Sequence, residues 1–401
     1  VTERIFINAV SATGDRINLS VSNGVITDIR CELPEHMPRE IIDLQQRLVV
    51  PAFVDGHIHL DKSFVGDRWR PHRPAGSLRE RMAIEKAELA DARPVVERAH
   101  ALIRQAASYG TLAMRSHVDV DATTGLNHLH AVMEAREKWR GLVDIELVAF
   151  PQAGVISCPG TADILEAALQ DGVDVIGGID PTTLDAAAEE QLDIVFGLAD
   201  KYAVKIDIHL HEPGQQGIDQ LQRIAQRTQA LGLGGRVAVS HAYSLGDVSA
   251  HTLEGIARTL ADAGVSIMTN APGDRDFPPV LKLREAGVNV FAGNDNIRDA
   301  WWPYGNGDML QRAMLIAYRS GFNTDEELGV AFEMVTQAAA KVVGLNGYAL
   351  QPGHPATFLV IDAPNVAAAV AEATTRREIV RQGQFWTPEE QPPGDPQGLP
   401  S

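Results

Sequence analysis

Two histidines one residue apart, His57 and His59, follow the apolar run Leu48-Val49-Val50-Pro51-Ala52-Phe53-Val54. On an extended strand, residues i and i+2 project from the same face, so both imidazoles can hold one metal ion. The surrounding segment, PAFVDGHIHLDK from Pro51 to Lys62, reads as a strand running into an open loop. Two ligands do not complete a site, so such a pair requires a fold that brings others from distant segments. Candidates stand at the ends of later apolar runs: His209 and Glu212 in IDIHLHE, His241 in VAVSHAY, and Asp295 in VFAGNDN.

From about residue 48 to 340, short β-branched runs alternate with amphipathic stretches of helical period. The runs end near Asp55, His117, Pro151, Asp180, His211, His241, Asn270 and Asp295. Helix-like stretches fall between them at 124–138, 162–170, 184–202, 217–231 and 247–263. Gly172, Gly232, Gly264 and Gly287 stand where glycine commonly closes a helix before the next strand. Eight strand–helix units match the size of a (β/α)8 barrel. Periodicity alone also allows an open doubly wound sheet. The metal-type residues favour the barrel, because the ends of the first, fifth, sixth and eighth strands converge only if the sheet closes. No G-x-G-x-x-G follows the first strand, which weakens a dinucleotide-binding reading.

The chain ends read differently. Residues 4–30 alternate apolar and polar side chains around the turn signals Thr13-Gly14-Asp15 and Ser22-Asn23-Gly24, as in a small antiparallel sheet. Residues 356–361 and 378–384 supply further strands. The expected architecture is an α/β (β/α)8 TIM barrel over 51–345, with a small β-sandwich satellite domain from 1–50 and 346–387. A proline-rich tail over 388–401 is expected to be disordered or draped over the surface.

At 401 residues, 45% of them hydrophobic, the chain can bury one large core with a satellite. No apolar stretch approaches the length of a membrane span, and no export signal is legible, so a cytoplasmic enzyme is expected. Two cysteines, Cys31 and Cys158, are too few for a disulfide framework or a cysteine metal site. A net charge of −18 without a basic cluster argues against nucleic acid. The acidity, spread over residues such as Glu85, Glu88, Asp91, Glu97, Glu189 and Glu190, reads as solvated helical surface.

These motifs, together with RSHVDVD, VAFPQAG, NDNIRDAWWPYGNGDM and PGHPATFLVID, resemble the amidohydrolase superfamily, specifically its cytosine deaminase-like branch. The resemblance implies one divalent metal ion per chain, zinc or iron, held by His57, His59, His209 and Asp295. The donor chemistry agrees: neutral imidazoles plus one carboxylate leave a position for water and lower its pKa. Relatives with two metals usually carry a bridging lysine, often on strand four; Val175-Ile176-Gly177-Gly178-Ile179-Asp180 has none, which implies a mononuclear site. By the same resemblance Glu212 shuttles a proton onto the substrate ring nitrogen. His241 then hydrogen-bonds the attacking water and, with Asp295, takes its proton.

The substrate implied is a small amino-heterocycle. Gln152 matches the glutamine that grips the amide edge of the pyrimidine in cytosine deaminases, where a primary amide offers both donor and acceptor. Lys62 either meets a ring carbonyl or anionic group or faces solvent. Asn296 stands where cytosine deaminases usually carry a second aspartate. Trp301, with Trp302 and Tyr304, shapes the loop after strand eight and is a further candidate substrate contact. The stretches Asp295-Asn296-Ile297-Arg298-Asp299 and Asn306-Gly307-Asp308-Met309 look more like the N-isopropylammelide isopropylaminohydrolase group, which acts on aminotriazines. The lead expectation is therefore deamination of a cytosine-like ring with ammonia release. The alternatives are alkylamine release from an N-alkylaminotriazine and, least favoured, a non-catalytic metal-containing binding protein. Homo-oligomers are common among such barrels. Of the other histidines, His117 is expected to be structural or supporting, His211 to support the site or simply pack, and His128 and His130 to lie in solvent on a polar helix.

Overall fold

The computed structural model describes residues 3–36, 38 and 40–388. The proline-rich stretch, apart from Pro388, lies outside the described residues. By contacts the chain divides into two compact units, one running to residue 54 with 104–113 and everything from 308, the other comprising 55–103 and 114–307.

The chain begins with β1 (Glu3–Val10), β2 (Arg16–Ser22), β3 (Val25–Arg30), β4 (Glu40–Asp43) and β5 (Leu48–Pro51). Ser22 pairs with Val25, so Asn23-Gly24 is the whole hairpin loop. Both residues have positive φ, 51° and 79°, the backbone a two-residue type I′ turn requires and the reason Asn-Gly is so strong a hairpin signal.

The barrel strands follow: β6 (Phe53–Ile58), β7 (Thr111–Asp119), β8 (Asp144–Phe150), β9 (Val175–Ile179), β10 (Lys205–Leu210), β11 (Val237–His241), β12 (Val265–Thr269) and β13 (Val290–Ala292). They lie side by side in chain order. A parallel bridge from Ile58 to Asp295 joins the two ends of the sheet. Every residue of β9, β11 and β12 is buried, so these strands read as apolar runs rather than alternations, as expected when helices cover a parallel sheet. Closure demands a small residue: a Cβ at Gly293 would lie 2.5 Å from His57 Cβ. The chain ends with β14 (Phe358–Ile361), β15 (Arg377–Arg381) and β16 (Gln384–Trp386).

The end segments form one eight-stranded sheet, ordered β16-β15-β14-β5-β1-β2-β3 with β4 on β1. Its core packs Phe6, Leu19, Ile26, Val49, Phe358 and Val380; Phe6 and Phe358 meet edge to face at 5.2 Å. Each such side chain contributes about 1.5–3 kcal/mol through burial. The apolar run ahead of His57 proves to be two strands. Leu48–Pro51 pairs antiparallel with β14, and Phe53 starts the barrel. Both stretches are fully buried, so hydrophobicity does not mark the break. Among the described residues no helix is long and apolar enough to cross a membrane.

Candidate active site

The C-terminal ends of the barrel strands bring His57, His59, His209 and Asp295 together, each offering one ligand atom within 4.8 Å of the others. Asp295 Oδ1 lies 3.4 Å from His57 Nε2 and 3.3 Å from His59 Nε2. The outer nitrogens are engaged elsewhere. His59 Nδ1 donates to the His117 carbonyl at 3.1 Å, and His57 Nδ1 lies 2.8 Å from Ser240 Oγ. Both bonds leave an Nε2 lone pair facing the cluster, as metal-binding imidazoles require. Among the described residues neither ring nitrogen of buried His209 has a hydrogen-bond partner. Buried polar atoms are seldom left so, and a cation at this point would satisfy one of them. The donor set of three imidazoles and one carboxylate fits a zinc- or iron-type ion.

The electrostatics suit the same purpose. Burial pushes the His59 pKa down, and burial with the neighbouring imidazoles pushes that of His209 well down, so both are neutral near pH 7. Burial opposes ionisation of Asp295, but His241, His57 and His59 outweigh it and hold the carboxyl well below its usual range. Its second oxygen accepts from Asn270 Nδ2 at 3.0 Å. Asp295 and His241 also have left-handed backbones, φ 61° and 74°. Non-glycine residues in this region are uncommon and cluster at functional sites. His241 is the last residue of β11, and Asp295 lies just past the end of β13.

Beside the cluster lies a cavity of about 810 Å³ whose wall includes Asp295, Gln152, Asn296 and Trp301. His211 lines it too, its Nδ1 2.8 Å from Asp180 Oδ2. Burial would lower the His211 pKa, but Asp180 more than offsets this and raises it. The two proton carriers expected from sequence, Glu212 and His241, are both buried, and neither is among the residues that line this cavity. Glu212 is buried and turns Oε1 to the backbone N–H groups of Thr182 and Thr183, each at 2.7 Å. Its Oε2 has no partner among the described residues, and burial raises its pKa against those two bonds. His241 is buried, with Nε2 unpartnered among the described residues and its pKa pushed well down by burial.

Lys62 is 1% exposed, so it does not face solvent. Its ammonium meets Gln152 Oε1 at 2.6 Å, Asp119 Oδ1 at 2.9 Å and Glu85 Oε1 at 3.3 Å. Glu85 accordingly departs from the expected solvated surface: it is buried and also accepts from Trp301 Nε1 at 2.6 Å. His128 departs likewise, since it is partly buried and pairs with Asp61 Oδ2 at 3.0 Å. His117 stacks on His57 with ring centroids 3.8 Å apart, a supporting position. Glu85, Asp119, Asn270 and Ser240 were not expected from sequence to belong to the site. No local pattern marks them; a lone polar residue near the end of a barrel strand is the only trace that Asp119, Asn270 and Ser240 leave.

The sequence profile of the Amidohydrolase family matches residues 40–386. N-isopropylammelide isopropyl amidohydrolase of Pseudomonas sp. (strain ADP) is 34% identical over 357 residues, covering 86% of this chain and 88% of that protein. The solved structure of N-isopropylammelide isopropylaminohydrolase from Burkholderia multivorans superposes with a TM-score of 0.91 at 38% identity, over 96% of this chain and 98% of that one. The 5-methylcytosine deaminase of Klebsiella pneumoniae, solved with 5-fluorocytosine, superposes with a TM-score of 0.85 at 26% identity, over 95% and 96%.

Proposed function

The chain belongs to the amidohydrolase family, and on that premise we propose that it is a metal-dependent aminohydrolase that removes an amine from a six-membered nitrogen heterocycle. The observation that carries this reading is the convergence of His57, His59, His209 and Asp295 beside a cavity walled by Gln152 and Asn296. One divalent ion, zinc or iron, would be held by those four ligands, and when bound it supplies a Lewis acid that makes water acidic enough to ionise near neutral pH.

The remaining chemistry falls to this chain's own groups. Water adds to the ring carbon that carries the exocyclic nitrogen. Neutral His241, with Nε2 unpartnered among the described residues, accepts the proton water gives up, assisted by Asp295. The C–N bond then breaks, the nitrogen leaves with a proton, and the ring keeps the new oxygen. For the leaving-group proton we favour the His211–Asp180 pair, because His211 lines the cavity and its pKa is raised. Glu212, the donor implied by family resemblance, has an oxygen unpartnered among the described residues and a raised pKa and is the second reading. Glu212→Gln and His211→Asn separate them. The proton donor's variant should lose turnover by about 10²–10⁴-fold while retaining metal.

For the substrate we favour an N-substituted amino-oxotriazine of the N-isopropylammelide type. The likeness to proteins of that name is higher, at 34% and 38%, and the cavity has room for a ring with a substituent. Deamination of a cytosine-type ring is the second reading, supported by Gln152 on the cavity wall and by the likeness to 5-methylcytosine deaminase. The test is amine release by metal-analysed protein from N-isopropylammelide, ammelide, cytosine and 5-methylcytosine. Alkylamine release, with about one metal per chain, supports the lead reading. Ammonia from the pyrimidines alone moves the protein to the second. Silence from metal-loaded protein toward all four rings overturns both.

A further inference from the structure

Of the three side-chain amides that line the cavity, Asn270 donates to Asp295, and the other two, Gln152 and Asn296, are each held so that they are not free to turn. Lys62 Nζ donates to Gln152 Oε1 at 2.6 Å. An ammonium has only donors, so the atom against it must be the amide oxygen, and flipping Gln152 would set NH2 against NH3⁺. Lys62 is itself fixed by Asp119 and Glu85. The half of Gln152 left for a ligand is therefore Nε2, a donor, which has no partner among the described residues. Asn296 is held in the opposite sense. Asp299 Oδ1 accepts from the backbone N–H groups of Trp301 and Trp302 at 2.8 and 2.9 Å. Its Oδ2 accepts from Asn296 Nδ2 at 2.6 Å. The half of Asn296 left over is Oδ1, an acceptor.

We infer that Gln152 and Asn296 give the cavity a fixed hydrogen-bond polarity, selecting a ring that presents a carbonyl oxygen to Gln152 and an N–H to Asn296, with Lys62 and Asp299 as the positioning residues. The ligand class is a lactam-type heterocycle, –NH–C(=O)–, rather than its amidine counterpart with an amino group in place of the carbonyl. An amino group there would set donor against donor, and a buried donor without a partner costs about 1–3 kcal/mol, or ~10–100-fold in affinity. A glutamine free to turn would read both groups of an amide edge through its own oxygen and nitrogen; here the two parts are divided between two residues. The inference rests on the aminohydrolase reading for its choice of ring but not for its polarity.

The test compares N-isopropylammelide with its analogue in which one ring carbonyl is replaced by an amino group. It uses metal-loaded wild type, Gln152→Glu and Asp299→Asn. Burial raises the Asp299 pKa to about 7, so the work is done near pH 8.5, where the carboxylate is the acceptor. Wild type should favour the lactam ring by ~10-fold or more in kcat/KM. Gln152→Glu offers an acceptor where a donor stood, stays paired to Lys62, and should reverse that ratio. Asp299→Asn can still accept from Trp301 and Trp302 and now donates to Asn296, turning it over. It should lower selectivity by a similar factor with unchanged thermal stability. Calorimetric binding of cyanuric acid, which has no amine to lose, reads the polarity without turnover. Tight binding by wild type, weakened ~10-fold in both variants, supports the inference even if no ring is hydrolysed, in which case the aminohydrolase reading fails alone. Equal kcat/KM for both rings in wild type, or ratios and binding unmoved in both folded variants, overturns it.

Discussion

His57 Nδ1 lies 2.8 Å from Ser240 Oγ, and Ser240 Oγ lies 2.7 Å from Asp207 Oδ1. Directions along this chain are forced. Asp207, bound by Arg115 Nη1 at 2.9 Å, can only accept while ionised, so Ser240 donates to it and must accept from His57. His57 therefore carries its proton on Nδ1 and presents a bare Nε2 to the metal cluster. Ser240→Ala should weaken metal affinity by about 10–100-fold, read as metal partition against a competing chelator. Unchanged partition in a folded variant would mean that Ser240 merely packs.

The His128–Asp61 pair predicts a pH dependence of stability. Burial would lower the His128 pKa, but the bond to Asp61 outweighs it and raises the value. Burial would raise Asp61, but His128 outweighs it and holds the carboxyl at about 2. A raised histidine contributes stability that is complete below its unfolded pKa of about 6.5 and is lost as pH rises through the folded value. A depressed carboxyl contributes above its unfolded pKa of about 3.9 and loses that contribution as pH falls toward 2. The pair is thus strongest between about pH 4 and 6.5. His128→Gln should cost about 1–3 kcal/mol near pH 5.5 and clearly less near pH 8.5, measured by chemical denaturation. A pH-independent cost would contradict the assignment.

Arg377 and Asp308 form a buried ion pair, with Nη2 2.7 Å and Nη1 2.9 Å from the two carboxylate oxygens and side chains only 1% and 2% exposed. Asp308 also caps the helix Met309–Ser320 through Leu310 N–H at 2.9 Å. Removing one member strands a buried charge, so Arg377→Met should destabilise by about 3–5 kcal/mol. Adding Asp308→Asn should recover part of that loss while keeping a capping side chain. A double variant as unstable as the single one would show that the packing of Arg377, not its charge, was the larger effect.

Much of the site was legible before the fold. His57 and His59 are readable because the strand period puts residues two apart on one face, a local fact. His209, His241 and Asp295 are readable because barrel strands end in short polar motifs after apolar runs. The Asn23-Gly24 hairpin is readable because both residues tolerate positive φ. These are properties of a few neighbouring residues, and sequence carries them directly. Even so, local reading merged β5 and β6, since hydrophobicity cannot say which sheet a buried strand joins.

What only the tertiary structure decided depends on residues far apart in the chain. Glu85 looks like one more acid on a solvated helix until Lys62 and Trp301 are seen to meet it. Whether Gln152 shows a ligand its donor or its acceptor depends on an ammonium 90 positions away. His211 and Glu212 are adjacent, yet one lines the cavity and the other turns to the backbone of Thr182 and Thr183. Sequence therefore determined the barrel, the metal-binding residue types and the hydrolytic family. Folding decided the orientation of the polar groups, because a hydrogen bond depends on distance and angle, and closing the barrel sets both.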